Sequence, residues 1–250
     1  MSKQKSNTGL FILIFICGLI VGVVGTVLVM NKFSDLKVVG TEESVTIIET
    51  ENGESKKDET ENVTSDEQTA IDESEVAVLK VNDAEIMMQE VNIYMYQLRD
   101  FYTAQYGEAP WEEIVAEPDV TVREYAKEEL KKGLIRAEVL ISKADEYNVT
   151  LTDEERQTCA EEAADYIKSI GPVICQDFGL TEEADRLVKE KQYLSTKVYN
   201  AALDALAATM DNPSDAELAE AFEAMYEEWL KEYTVTEYPV WENIVMGSVG

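Results

Sequence analysis

The chain has 250 residues and carries 51 acidic against 21 basic side chains, a formal net charge of −30. Such a charge repels a phosphate backbone and excludes nucleic acid as a partner. The sequence contains no histidine, which excludes Ser-His and Cys-His nucleophile pairs and His-ligated zinc.

An uncharged apolar run extends from Leu10 to Met30. A helix over these 21 residues spans about 31 Å, the thickness of the hydrocarbon core of a bilayer. A cleaved signal peptide would have an apolar stretch of only about 7 to 15 residues. The run therefore predicts a short tail at residues 1–9 and an uncleaved transmembrane anchor at residues 10–30.

Basic residues near the anchor indicate its orientation. Lys3 and Lys5 lie on the short N-terminal side, whereas Asp35 and many further acids dilute the lysines on the other side. This bias predicts a single-pass protein of the cell membrane, with a cytoplasmic N-terminus and an extracytoplasmic C-terminal part. Three small residues of the anchor, spaced four positions apart, provide one helix face on which a weak homodimer can form. They are Gly18, Gly22 and Thr26.

The next segment, residues 31–75, contains 14 acids and 4 lysines and a single aromatic residue, Phe33. It cannot bury enough apolar surface to offset the loss of chain entropy, so we expect an acidic, disordered linker. The remaining residues, 76–250, carry 37 acids and 15 bases. Their size and composition predict one compact domain with a net charge of −22.

The domain begins with a β-branched segment, VAVLKV, which predicts a strand that ends at the turn pair Asn82-Asp83. After this turn, apolar residues recur every three or four positions, which predicts a first helix that ends near Gly107. They are Val91, Met95, Leu98 and Tyr102.

Start signals predict four further helices. Capping boxes at Thr121, Thr152 and Ser214, each with Glu three residues later, open the second, third and fifth helices, and Thr181 caps the fourth. We expect these helices to end near Tyr147-Asn148, Ile170, Met210 and Tyr233, and a last strand to cover Thr234–Val240. The predicted fold is mainly α, with five helices closed by a two-stranded sheet of the terminal strands and with the last helix packed on the first.

Several of these segments resemble a known family. The strand ending in "VNDAEI", the helix beginning "VREYAKEELKKGLIRAEVLISKADEYNVTLTDEE" and the final helix followed by a Trp-bearing strand resemble the chaperone domain of the SurA and PrsA foldases. The resemblance covers about Val76 to Ile244 and departs from the family at Met87-Met88, where Ser or Thr commonly caps the first helix. It implies an extracytoplasmic chaperone that holds unfolded or partly folded secreted proteins.

Many members of that family insert a parvulin prolyl-isomerase domain before the last helix. Here only Asp211, Asn212 and Pro213 occupy that position, and the histidines of a parvulin site are missing. We therefore expect no isomerase chemistry; a second alternative is that the protein is a member of the peptidyl-prolyl isomerase family by name only. The alternative class is an envelope protein that binds one fixed partner through the same helical body.

Aromatic and methionine side chains of the first and last helices are the candidates for client contact, because such side chains adapt to many apolar sequences. For any single one of them, core packing is the competing interpretation. The candidates are Met87, Met88, Tyr94, Tyr96, Tyr102, Tyr106, Trp111, Phe222, Met225 and Trp229.

Two further groups of residues have two interpretations each. Cys159 and Cys175 can pair as a disulfide outside the cell or can be small buried hydrophobes. Oxygen-bearing side chains near Ser214 lack the spacing of an EF-hand loop, so helix capping explains them better than calcium does. We expect no metal and no cofactor, and no nucleotide-binding or nucleophile-elbow motif is present.

Overall fold

The computed structural model describes residues 76–247, except residues 108–109 and 117–119. The predicted tail, anchor and linker at residues 1–75 lie outside the described residues and stay predictions. No helix within the described part of the chain is both long and apolar enough to cross a membrane.

The prediction of a mainly helical fold with a small sheet is confirmed, although the numbers of helices and strands differ from it. The described helices are α1 (Met88–Tyr106), α2 (Val122–Ser142), α3 (Asp153–Ile170), α4 (Pro172–Asp177), α5 (Glu182–Ala207) and α6 (Asp215–Leu230). The strands are β1 (Ala77–Val81), β2 (Ala84–Met87), β3 (Ile114–Ala116), β4 (Val120–Thr121) and β5 (Val235–Glu237). Short 3-10 helices cover Pro110–Glu112 and Pro239–Asn243.

The first and last strands pair, as the sequence predicted. However, β1 lies at the centre of a three-stranded antiparallel sheet with the order β2-β1-β5, so the prediction of two strands was wrong. The chain returns as β2 directly after the turn at Asn82 and Asp83. Asn82 has φ 51°, a left-handed conformation that asparagine tolerates and that two-residue hairpin turns require.

Every helix start that a capping signal predicted is confirmed. In α2, the Thr121 hydroxyl accepts the Glu124 N–H at 3.2 Å, and the Glu124 carboxylate accepts the Thr121 N–H at 2.9 Å. The same reciprocal pairs open α3 and α6. At α1, Met87 provides no side-chain cap, and the Glu90 carboxylate accepts the Met87 N–H at 3.3 Å instead.

The central helix is α5, which packs against α1, α2, α3 and α6. Its inward positions hold small or branched side chains that are fully buried, namely Ala184, Val188, Val198 and Ala202. Because small side chains allow close approach, α5 can contact several helices at once.

The last helix packs mainly on α5, not on α1 as expected. On α5, the rings of Tyr199 and Phe222 meet edge to face with centroids 4.5 Å apart. On α2, Arg136 pairs with Glu223 at 2.6 Å. Because α5 packs against both α1 and α6, it connects the first helix to the last.

Two short elements were not predicted. The strands β3 and β4 form a small antiparallel hairpin before α2. A sixth helix, α4, begins at Pro172, between the third and fourth predicted helices. Proline is well suited to the first position of a helix, because its fixed φ is helical and its missing N–H is not needed there.

Candidate functional site

Four of the ten residues proposed for client contact belong to the core. Tyr94, Tyr102, Trp111 and Phe222 are buried and pack within one hydrophobic cluster. The rings of Tyr102 and Trp111, for example, lie 5.2 Å apart. In this structure these four side chains have no surface to offer a client.

The other candidates lie nearer the surface. Met87, Met88, Tyr96, Met225 and Trp229 are half-buried, and the side chain of Tyr106 lies outside the described residues. The Trp229 ring packs edge to face on Tyr147, with centroids 6.0 Å apart, and the Lys143 ammonium lies 5.3 Å from its centroid. Trp229 is thus largely engaged within the domain, whereas Tyr96 lies beside exposed apolar surface.

That surface is provided by α4. None of the six residues of this helix is buried. Val173 is 70% exposed and Ile174 is 39% exposed. Aliphatic side chains in a domain of this size normally lose most of their contact with water, so a helix that exposes both of them is a candidate for contact with another chain.

Aromatic rings continue this surface. Phe178 follows Ile174 by one helical turn, and its ring meets that of Tyr96 edge to face, with centroids 5.2 Å apart. The Arg99 guanidinium lies 4.9 Å from the centroid of the Phe178 ring. We call Val173, Ile174, Phe178 and Tyr96 the α4 patch. In the α4 patch, two exposed aliphatic side chains thus lie near two half-buried rings.

Sequence reasoning found Tyr96 but missed the other members of the α4 patch. The usable signal was the order Gly171-Pro172 followed by two aliphatic residues. Gly171 has φ 91° and redirects the chain after α3, and Pro172 then starts a helix too short to bury both of its faces.

Charged side chains are buried where α1, α2 and α5 meet. The Lys191 Nζ lies 2.6 Å from Glu90 Oε2 and 2.6 Å from Glu138 Oε1. Burial alone would lower the pKa of Lys191, but the carboxylates of Glu138 and Glu90 outweigh that effect and the pKa is raised. Burial and the charge of Glu90 likewise raise the pKa of Tyr94. Both Lys191 and Tyr94 stay protonated near neutral pH, so this cluster links helices and is not suited to acid-base catalysis.

Both cysteines of the described region are free thiols. Cys159 is buried, and burial raises its pKa to about 11. The half-buried Cys175 donates its thiol hydrogen to the carbonyl oxygen of Ile167 at 3.5 Å. The two residues are therefore not joined by a disulfide in this structure, and both thiols are protonated at neutral pH.

The oxygen-rich segment around Ser214 serves the start of α6. The Ser214 hydroxyl accepts the Glu217 N–H at 3.3 Å, and the Glu217 carboxylate accepts the Ser214 N–H at 2.8 Å. The side-chain oxygens of Ser214 and Glu217 therefore cap the helix. Within residues 76–247, apart from the two short gaps, no group of acidic and cysteine side chains is placed to hold a metal ion.

Comparison with known protein families identifies part of the chain. Residues 60–166 match the SurA-like N-terminal domain family, which confirms the resemblance to SurA- and PrsA-like domains over this range. Among the described elements, the match includes the β1-β2 hairpin, α1, α2 and most of α3. No curated protein and no solved structure matches the chain. Apart from Tyr96, the α4 patch follows the matched range.

Proposed function

We propose that this protein, whose residues 60–166 carry a SurA-like N-terminal domain, is a membrane-anchored extracytoplasmic chaperone. The domain type suggests a chaperone-like role in protein folding. The more specific proposal is that the protein holds unfolded secreted chains without covalent chemistry. The apolar run at residues 10–30 and the acidic linker at residues 31–75 support an anchor and a tether that keep the domain near the outer face of the membrane.

The observation that carries the proposal is the exposure of Val173 and Ile174 on α4. Exposed aliphatic surface has a free-energy cost in water, and contact with the apolar side chains of an unfolded chain removes that cost. Phe178 and Tyr96 extend the contact area with rings that accept side chains of different shapes. A small apolar surface of four side chains suits weak binding of many sequences better than recognition of one sequence.

The charge of the domain supports the same function. Residues 76–250 carry 37 acids and 15 bases, so the domain repels its own copies and attracts basic unfolded chains. This attraction between exposed charges weakens as salt increases, because the Debye length falls from about 10 Å at 0.1 M to about 3 Å at 1 M salt. We therefore expect basic clients to be held better at low salt than at high salt.

Site-specific photocrosslinking tests the location of client binding. A photoreactive amino acid at position 173 should form adducts with an unfolded client, because this position lies on the α4 patch. The matched control is position 114, where Ile114 is 63% exposed on the separate β3-β4 hairpin. Equal adduct yields at both positions would contradict a role for the α4 patch.

A pair of double variants tests whether the patch provides the affinity. Replacing Val173 and Ile174 by Ser should weaken client holding and leave the melting temperature nearly unchanged, because neither side chain is buried. The control variant replaces Ile114 and Val235, two other exposed aliphatic residues, also by Ser. It should hold clients as well as the natural protein does. Equal losses in the two variants would show that general surface hydrophobicity, not α4, is responsible.

The topology has its own test. If the C-terminal domain lies on the outer side of the cell membrane, protease added to intact, wall-stripped cells should remove the domain. Complete protection from the protease would contradict an extracytoplasmic domain without bearing on the chemistry of α4.

A further inference from the structure

The attachment of α3 to the domain depends on one face that packs on α5. The buried residues of α3 are Cys159 and Ala163, whose small side chains remove little apolar surface from water. Ion pairs supplement this contact, with Arg156 3.1 Å from Glu190 and Lys197 2.7 Å from Glu155. The half-buried Ile167 and Ile170 also pack against the core, and we call this contact between the two helices the α3–α5 joint.

A carboxylic acid lies inside this joint. Asp185 of α5 is fully buried, and neither of its carboxylate oxygens has a hydrogen-bond partner. The nearest cation is Lys189, one turn along α5, with Nζ 3.7 Å from Oδ2. That distance is too long for a hydrogen bond. An ionised carboxylate in such a place costs more free energy than a neutral carboxylic acid, because it has lost its water and gained no donor.

Titratable groups face Asp185 from two other helices. Glu162 of α3 adds negative charge, and its own Oε2 is buried without a partner. Tyr166 of α3 and Tyr94 of α1 are the nearby hydroxyl-bearing residues, and the ring of Tyr166 lies 5.5 Å from the Lys189 ammonium. The charges that act on Asp185 are thus one ammonium group, that of Lys189, and one further carboxyl group, that of Glu162.

The charged groups of α2 and α6 are engaged elsewhere. Glu138 of α2 pairs with Lys191, which lies about 9 Å further along α5 than Asp185 at 1.5 Å per residue. Arg136 of α2 pairs with Glu223 of α6. The charge state of Asp185 is therefore set by its burial, by Lys189 and by Glu162.

We propose that Asp185 makes the α3–α5 joint sensitive to pH, with α3 firmly docked when the carboxyl group is neutral and loosened when it is ionised. A proton from solvent neutralises Asp185 and removes its repulsion with Glu162. Lys189 is then free to balance the remaining carboxylate. Because α4 follows α3 directly after Gly171, the arm formed by α3 and α4 loosens as one unit. The proposal concerns this attachment and does not depend on client holding.

The pKa of Asp185 gives the direction and range of the effect. Burial raises it from 3.8 to about 6, Lys189 opposes the rise, and Glu162 adds to it. The docked state therefore binds more protons between these two values, so docking is strongest in acid and weakens as the pH rises from about 4 through about 6. If opening returns Asp185 to water, the opening equilibrium increases about tenfold between pH 5 and pH 7.5.

Hydrogen exchange measured by mass spectrometry tests the proposal on the full chain, kept in mild detergent because of its apolar N-terminal run. After correction for intrinsic exchange rates, peptides from α3 should be about tenfold better protected at pH 5 than at pH 7.5. Asp185→Asn imitates the neutral acid and should protect α3 equally at both pH values. The matched control is Asp204→Asn, an exposed acid on the same helix, which should behave like the natural chain.

Two results would overturn the proposal: equal protection of α3 at both pH values in the natural chain, or an unchanged pH dependence in Asp185→Asn. Glu162→Gln provides a second variant if Asp185→Asn does not fold. It removes a negative charge from the α3–α5 joint and should reduce the pH dependence without abolishing it. An unreduced pH dependence in Glu162→Gln would also contradict the proposal.

Discussion

The buried Tyr94 and the exposed Ile114 show that an apolar or aromatic side chain does not by its type reveal where it lies in this protein. Tyr94 was proposed for client contact, but its side chain is buried among core residues. We predict that Tyr94→Ala lowers the free energy of unfolding by about 3 to 5 kcal/mol, whereas Ile114→Ala changes it by about 0.5 kcal/mol or less. Urea unfolding of both variants measures the difference. Equal effects would contradict the assignment of Tyr94 to the core.

The ion triad of Lys191, Glu90 and Glu138 leads to a second prediction at the residue scale. Lys191→Met leaves two carboxylates without their cation in a buried position, so we expect a loss of about 3 to 5 kcal/mol of unfolding free energy. Adding Glu90→Gln and Glu138→Gln removes both unpaired charges and should recover much of that loss. The same urea titration compares the single and triple variants. No recovery in the triple variant would mean that Lys191 acts through packing and not through charge.

At the scale of single elements, α3 depends on its own capping more than the central helices do, because only two small residues of α3 are buried. We predict that Thr152→Ala lowers the stability of α3 by about 1 kcal/mol. Hydrogen exchange should show this as an approximately fivefold loss of protection in α3, with α5 little changed.

Thr158 provides the matched control within α3, because its hydroxyl donates to the Glu154 carbonyl oxygen in the helix interior. Such a bond stabilises a helix little, and alanine is the better helix former, so Thr158→Ala should leave protection equal or greater. A loss of protection spread over all helices in Thr152→Ala would show that α3 unfolds only together with the whole domain.

The elements also show what the sequence could and could not predict. Capping boxes are local, so Thr121, Thr152 and Ser214 marked their helices correctly. The strand β2 was missed because its apolar residues are few and its partner lies across the turn at Asn82. The α4 patch was missed because the exposure of a helix depends on which other elements cover it. The sequence of a six-residue helix does not show which elements those are. For the same reason, aromatic residues on α1 did not show which of them would be buried.

At the scale of the whole molecule, three features combine into one account. Residues 60–166 match the SurA-like N-terminal domain family, α4 presents apolar side chains to solvent, and the domain carries a large excess of acids. We propose that the acidic surface maintains solubility while the α4 patch is unoccupied and that the patch contacts clients. A protein that binds one fixed partner would share these features but would discriminate between clients.

Breadth of holding is therefore the most direct test of the central claim. The measurement is the light scattering of several unrelated unfolded proteins, basic and acidic, with and without the chain from Val76 onward, at low and high salt. The account predicts delayed aggregation for most of these clients, with basic ones protected more at low salt than at high salt. No delay for any client, or a delay for a single one, would contradict a general chaperone and favour the single-partner envelope protein.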